Sequence, residues 1–206
     1  MVKSASSSRH QRIVAATFDV LKERGYAGAS TLEIARRARV SKRELYAAFG
    51  SKTGILEALV SQTATRMQVP LKAGHDSAGL EALRAALTGY GIAALTELTS
   101  PHVVAIHRLA TAEAGRSSEL GRILDRSGRE PNRRALVALL ARARATGLLG
   151  GEPEAMAGQF FALLIGDQLI RLLLGVARAP RAGEIKVRAV AAADAVIRLH
   201  ATDLGP

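Results

Sequence analysis

The chain has 206 residues, 48% of them hydrophobic and 23% charged, with 29 Lys+Arg against 18 Asp+Glu and a formal net charge of +11. This length accommodates one or two compact domains with their own cores, and the ordinary apolar fraction argues against a disordered chain. The absence of cysteine excludes a disulfide scaffold, a thiol nucleophile and any cysteine-ligated metal site, and it fits a reducing compartment.

The basic excess favours a polyanionic partner: DNA, RNA or an anionic membrane. It is not evenly spread. Residues 1–66 hold 12 Lys+Arg and 5 Asp+Glu, and four of the seven aromatic residues (Phe18, Tyr26, Tyr46, Phe49) fall there too. A small basic N-terminal module and a larger aliphatic one are therefore expected. The first residues are polar and serine-rich and do not read as a signal peptide. The most hydrophobic stretch, residues 160–177, is interrupted by Asp167, Gln168 and Arg171, so it reads as a buried helix of a soluble protein rather than a lipid-spanning one.

Taken in chain order, nearly every segment carries helical spacing, which makes the fold class all-α. Ile13, Val14, Phe18 and Leu21 form one stripe of a first helix, ended by Gly25. Ser30 opens a second helix with Glu33 at capping-box spacing, and Ile34, Ala35 and Ala38 point inward before it stops near Arg39. Ser41 starts a third short helix bearing Leu45, Tyr46 and Phe49; Gly50 breaks it and Ser51 caps a fourth with Ile55, Leu56, Leu59 and Val60. Beyond Pro70 a longer helix runs through Leu80, Leu83, Leu87, Tyr90, Ala94 and Leu98. Ser100 followed by Pro101 begins another, which runs to Gly115. Residues 117–127 and 132–145 read as two helices separated around Gly128 and Pro131. Residues 153–175 form an almost wholly apolar helix, and an alanine-rich one closes the chain over 184–201.

Two short helices joined by a tight turn inside a basic segment have the arithmetic of a helix-turn-helix. Within it, Ile34-Ala35, Ala38, Val40-Ser41, Leu45-Tyr46, Phe49 and Ser51-Lys52 resemble the N-terminal domain of the TetR family of transcriptional regulators. The resemblance extends over roughly residues 10–60. It implies a basic arm over 1–9, a DNA-binding domain over 10–52 and a helical regulatory and dimerisation domain over 53–206. His107-Arg108-Leu109 with Ala112-Glu113 resembles one regulator subclass.

In a major groove the N-terminal residues of the third helix, Lys42, Arg43 and Glu44, would meet base edges first. Arg43 suits guanine and Glu44 suits cytosine. Ser41 caps this helix, and Tyr46 and Lys52 stand at family positions for phosphate contact and groove-edge packing. Ser30 and Thr31 lie at a helix N-terminus, where backbone donors favour a phosphate. Each has a plainer reading: Lys42 to Glu44 as a solvated helix face, Ser30 and Glu33 as a cap, Tyr46 as part of the core. Lys3, Arg9 and Arg12 fit either a minor-groove arm or a solubilising tail. The sequence departs from the family pattern in three places. Arg39 stands where glycine is common, Ala48 where His or Tyr is, and Leu32 where a polar residue is.

The broad apolar surfaces of the last two helices suit a homodimer interface, with a single monomeric core as the alternative. The resemblance further implies a small-molecule effector held in the larger domain, where Tyr90, His107, Phe160, Asp167, Gln168 and Arg171 are the candidate contacts, with His102 and Glu113 nearby. Asp167 and Arg171 are also spaced to pair with each other across one turn. An aliphatic or mixed-polarity effector is preferred, since the shortage of aromatics disfavours an aromatic cage. No bound cofactor or metal is expected. The whole implies a cytoplasmic repressor that binds a near-palindromic duplex operator and leaves it on binding effector. A ligand-independent DNA-binding protein or an activator of the same fold is the alternative. A helical enzyme is disfavoured, because His102 and His107 sit on different helix faces and no phosphate loop or nucleophile elbow occurs. A sequence-indifferent packaging or membrane-surface protein would spread its basic residues more widely.

Overall fold

The computed structural model describes the backbone of residues 2–73 and 79–202, and the side chains of all of these except 2–8, 26–27 and 73. Lys3 and Tyr26 therefore lie outside the described side chains. The chain packs as two units, Met1–Thr63 with Ala105–Gly128, and Ala64–Val104 with Arg129–Pro206.

The first unit contains α1 (Val2–Gly28), α2 (Thr31–Ala38), α3 (Lys42–Phe49), the start of α4 (Lys52–Ala73), the end of α6 (Pro101–Glu113) and α7 (Glu119–Ile123). Gly25 takes φ 69° and ψ 178°, a break in α1 where the periodic stripe ends. Ile13, Phe18 and Leu21 of that stripe join Ile34, Ala35 and Ala38 of α2, Leu45 of α3, and Ile55 and Leu56 of α4 in one core. Ile106, Leu120 and Ile123 pack into the same core, so α6 and α7 support the N-terminal helices directly. Thr53 donates to Glu119 at 2.8 Å and Arg126 to Glu57 at 3.0 Å, pinning the start of α4 from that side.

The second unit contains the rest of α4, α5 (Leu80–Leu98), α8 (Glu130–Ala145), α9 (Pro153–Ile165), α10 (Gln168–Leu173) and α11 (Ala182–His200). Its aliphatic core runs through Leu83, Leu87, Leu136, Leu140, Met156, Leu164 and Val196. The alanine-rich α11 lies closely along α5, because small residues let two backbones approach. A Cβ added to Gly91 would lie 3.0 Å from Cβ of Ala189 and 3.1 Å from Cδ1 of Leu164. Among the described residues there is no strand, only an isolated bridge between Leu149 and Ala201.

Three helix boundaries differ from the sequence expectation. Pro70 does not end its helix but lies inside α4, one turn from its end; Gly89 of α5 receives the ring, since a Cβ there would lie 2.9 Å from that of Pro70. Gly128 and Pro131 do not separate two helices. A π-helical stretch, Leu124–Arg129, joins α7 to α8. Its wider turns relieve the clash between a proline ring and the carbonyl four residues earlier. The apolar stretch 153–175 is not one helix: Gly166, at φ 50° and ψ −131°, ends α9 before α10 begins. Local periodicity continues across that glycine, which is why the spacing alone misses the break.

Arg39 adopts φ 53° and ψ 49°, the only positive φ of a non-glycine residue among the described ones. The turn is held by Arg39 N to Arg36 O at 3.2 Å and Val40 N to Ala35 O at 3.0 Å. The left-handed conformation matches the glycine expected there, and the exposed side chain buries nothing in compensation. Arg39→Gly is expected to stabilise the protein by about 0.5–1 kcal/mol in urea unfolding, strain relief exceeding the added chain entropy. An unchanged or lower midpoint would show that the turn carries no such strain.

Candidate nucleic-acid interface

Two serine caps set the helices of this site. Ser30 Oγ accepts from Glu33 N at 3.2 Å and so starts α2. The capping box expected at Ser30 is only half formed, because the Glu33 carboxylate turns toward cations. Arg36 donates to it from Nη2 at 2.9 Å and Arg37 from Nε at 3.0 Å. Arg37 also donates from Nη1 to Glu23 at 2.7 Å, tying α2 to α1. The complete box belongs to Ser41, whose N donates to Glu44 Oε2 at 2.9 Å while its Oγ accepts from Glu44 N at 3.1 Å. That serine-x-x-glutamate spacing is equally present in the sequence. Which of the two boxes closes is decided by Arg36 and Arg37, one turn beyond Glu33, which have no counterpart after Glu44.

These ion pairs carry a pH signature. Hydrogen bonds from Arg36 and then Arg37 hold the Glu33 carboxyl down from its ordinary 4.5 to about 2. A lowered folded-state value means that the unfolded chain takes up the proton first as pH falls. The stabilisation is therefore complete above about 4.5 and is lost as pH falls through about 2. Acid unfolding of Glu33→Gln should lose part of the wild-type slope in that window; an identical slope would remove the role. The pairs are solvent-facing, so added salt should shrink the difference.

The outward face of α3 starts with Lys42 and Arg43, both exposed. Among the described residues Arg43 pairs with none, whereas Lys42 Nζ lies 5.8 Å from the centroid of the Tyr46 ring. Tyr46 is 41% exposed, and its hydroxyl lies 3.1 Å from Oγ1 of Thr31. This hydroxyl pair joins the N-terminus of α2 to the exposed face of α3. Glu44 faces the cap instead, with Arg9 at 3.6 Å; hydrogen bonds from Ser41 hold its carboxyl below the usual range. Arg12 Nε donates to Ala38 O at 3.3 Å, a cap on α2 that sequence reading missed because the residues are 26 apart. On the inner side Leu45 is fully buried, and the His10 ring packs 4.8 Å from that of Phe49. Lys52 begins α4 and is half-buried. Leu32 is 65% exposed, on the surface of α2.

The residues expected to hold an effector do not converge. Tyr90 and Phe160 are both fully buried, with ring centroids 6.0 Å apart, and the Tyr90 hydroxyl lies 3.4 Å from Asn132 Oδ1. Burial pushes the Tyr90 hydroxyl above its ordinary value. His107 belongs to the other unit. Asp167 and Arg171 face each other at 3.7 Å across one turn. Gln168 and Arg171 share a cleft of about 420 Å³, with Leu95, Ile185 and Arg188 among its walls. Among the described residues no helix is long and apolar enough to cross a membrane, and no group of three metal-ligating side chains occurs.

Two short capped helices at a tight turn, backed by a core that α1, α4, α6 and α7 complete, have the arrangement of a DNA-binding helix-turn-helix. A family model described as bacterial regulatory proteins, tetR family, matches residues 13–59. A second, the C-terminal domain of AefR-like transcriptional repressors, matches residues 85–201. The chain belongs to the TetR family of transcriptional regulators. Among solved structures it is similar to a TetR transcriptional regulator from Agrobacterium tumefaciens, with 28% identity over 94% of this chain and 95% of the other and a TM-score of 0.76. It is also similar to the flavonoid-responsive regulator FrrA, with 27% identity over 94% and 97% of the two chains and a TM-score of 0.67. A protein of Mesorhizobium loti assigned to the family shares the fold, with a TM-score of 0.76 at 21% identity over 96% and 98% of the chains. A comparison with curated proteins finds no match.

Proposed function

We propose that this regulator is a cytoplasmic, homodimeric repressor that reads a near-palindromic operator through α3 and leaves it on binding a small molecule. The observation that carries the DNA reading is the exposed start of α3, with Lys42 and with Arg43, which pairs with no described residue, beside the Thr31–Tyr46 hydroxyl pair. Arg43 donates to a guanine edge, and Lys42 to a neighbouring base or phosphate. Ser30, Thr31 and Tyr46 hold one phosphate, Lys52 a second, and Ser41 and Glu44 fix the angle at which α3 enters the groove.

The outer surface of α9 to α11 supports self-association. Leu163, Ile170, Leu174, Val187 and Leu199 are each at least 50% exposed, and a groove along α11 has Leu163, Val187, Ala191 and Ala195 on its walls together with the charged Arg181, Glu184, Arg188 and Arg198. A homodimer would read two half-sites about 34–36 Å apart, one turn of duplex. Effector control is supported by the family match and by the similarity to FrrA.

A salt titration of operator binding tests the DNA reading. Several phosphate contacts release counterions, so log affinity should fall steeply with log salt, and a flat response would overturn it. Sedimentation at micromolar concentration should give a dimer; a monomer would remove the interface.

A further inference from the structure

The cleft in the second unit has walls of two kinds. Leu95 and Ile185 are almost fully buried and, with Ala177 and Pro180, form an apolar floor. Three guanidinium groups, Arg171, Arg178 and Arg188, line the same space with a single carboxylate, Glu184. That carboxylate is already saturated. Arg178 donates to it from both terminal nitrogens, at 2.8 and 2.6 Å, and Arg181 N donates at 2.7 Å. Hydrogen bonds from Arg178 and then Arg181 hold its carboxyl at about 2, so it stays charged and engaged at neutral pH.

The other two guanidiniums are poorly matched. Arg171 has Asp167 at 3.7 Å, beyond hydrogen-bond distance, and Arg188 makes one long bond of 3.5 Å to Ile165 O. Each guanidinium carries five donors in a planar fork, so most of theirs remain available to something in the cleft. Gln168 is turned onto the cleft wall, its Nε2 donating to Arg178 O at 3.2 Å. Cationic donors above an apolar floor, in about 420 Å³, match a small organic anion with a hydrophobic body.

We infer that this cleft binds a small organic carboxylate, its head held between Arg171 and Arg188 and its apolar body against Leu95 and Ile185. A carboxylate is favoured over a phosphate monoester by charge. The three guanidiniums, less Glu184 and the neighbouring Asp167, leave a single net positive charge, which a monoanion neutralises and a dianion exceeds. The apolar floor has no use for a wholly inorganic ion. This inference rests on the reading of the chain as ligand-controlled only for its consequence. Binding is measured apart from operator release, so loss of one does not imply loss of the other. Glu184 and Arg188 also border the outer groove of α11, so the measurement uses the full-length chain in its native association state.

The test is calorimetric titration with straight-chain carboxylates of four to ten carbons, phenylacetate and 3-phenylpropionate. Their primary amides and phenyl phosphate serve as comparisons. At least one carboxylate should bind, its amide should bind at least tenfold more weakly, and Arg171→Gln with Arg188→Gln should weaken the carboxylate at least tenfold. Arg171→Gln alone, at an exposed side chain, should weaken it at least threefold and covers the case in which the double variant does not fold. Arg134→Gln, an exposed cation on α8, should leave it unchanged. The site is overturned if no carboxylate binds, if amide and acid bind alike, if only phenyl phosphate binds, or if the Arg171 and Arg188 variants bind as the wild type does.

Discussion

Arg43→Ala is expected to weaken binding to the cognate operator by about 1–3 kcal/mol, roughly 5- to 150-fold, and to relax preference at one base position in each half-site. The side chain is exposed at the start of α3 and pairs with no described residue, so its removal costs the free protein almost nothing. A guanidinium that donates twice to one guanine discriminates against the other three bases, whereas a phosphate contact does not. Lys52→Ala provides the comparison, since it should weaken all sequences alike and lower the salt slope by about one. Competition binding against operators substituted base by base separates the two behaviours. If Arg43→Ala weakened every sequence equally, Arg43 would be a backbone contact and the assignment of roles along α3 would fail.

Phe160→Ala should cost about 3–5 kcal/mol in stability, the most of any single change considered for this chain. Its ring is fully buried, 6.0 Å from that of Tyr90 and 6.3 Å from that of Phe161. Removal leaves a cavity in an aliphatic core that small residues on α5 and α11 have already drawn close, with little slack for collapse. Phe160→Leu should cost less than half as much. Urea unfolding reads this as a lower midpoint at unchanged slope. A loss below about 1 kcal/mol would mean that Phe160 lines a space able to refill, as a ligand pocket can, rather than a packed core.

That contrast shows where the sequence was informative. The N-terminal helices were legible because caps, breaks and apolar stripes are local signals. Ser30, Ser41, Gly50 and Ser51 mark the helix ends, and Arg39, at a position where glycine is common, takes the left-handed backbone that a glycine would. The lost signals are non-local. Nothing near Glu33 in the chain says that Arg37 will also reach Glu23, which is what turns α2's cap into an ion-pair network across two helices. Pro131 reads as a break because its tolerance depends on a π-helical turn before it, a register set by packing. Tyr90 and Phe160 are scarce aromatics in an aliphatic domain, and tertiary packing uses them as core. Gln168 and Arg171 are polar residues within an apolar run, and they do share a cleft. Arg178 and Arg188, which complete it, come from the following loop and from α11, and no spacing rule links them to α10.

Selection of bound sequences from a random pool of duplex DNA tests the central claim most directly. The expected result is enrichment of a near-palindrome whose half-sites are centred about 34–36 Å apart, with a guanine in each half-site whose preference disappears in Arg43→Ala. A pool that stays random while the protein still binds DNA in a salt-dependent way would contradict it, leaving the +11 charge as that of a generic polyanion binder.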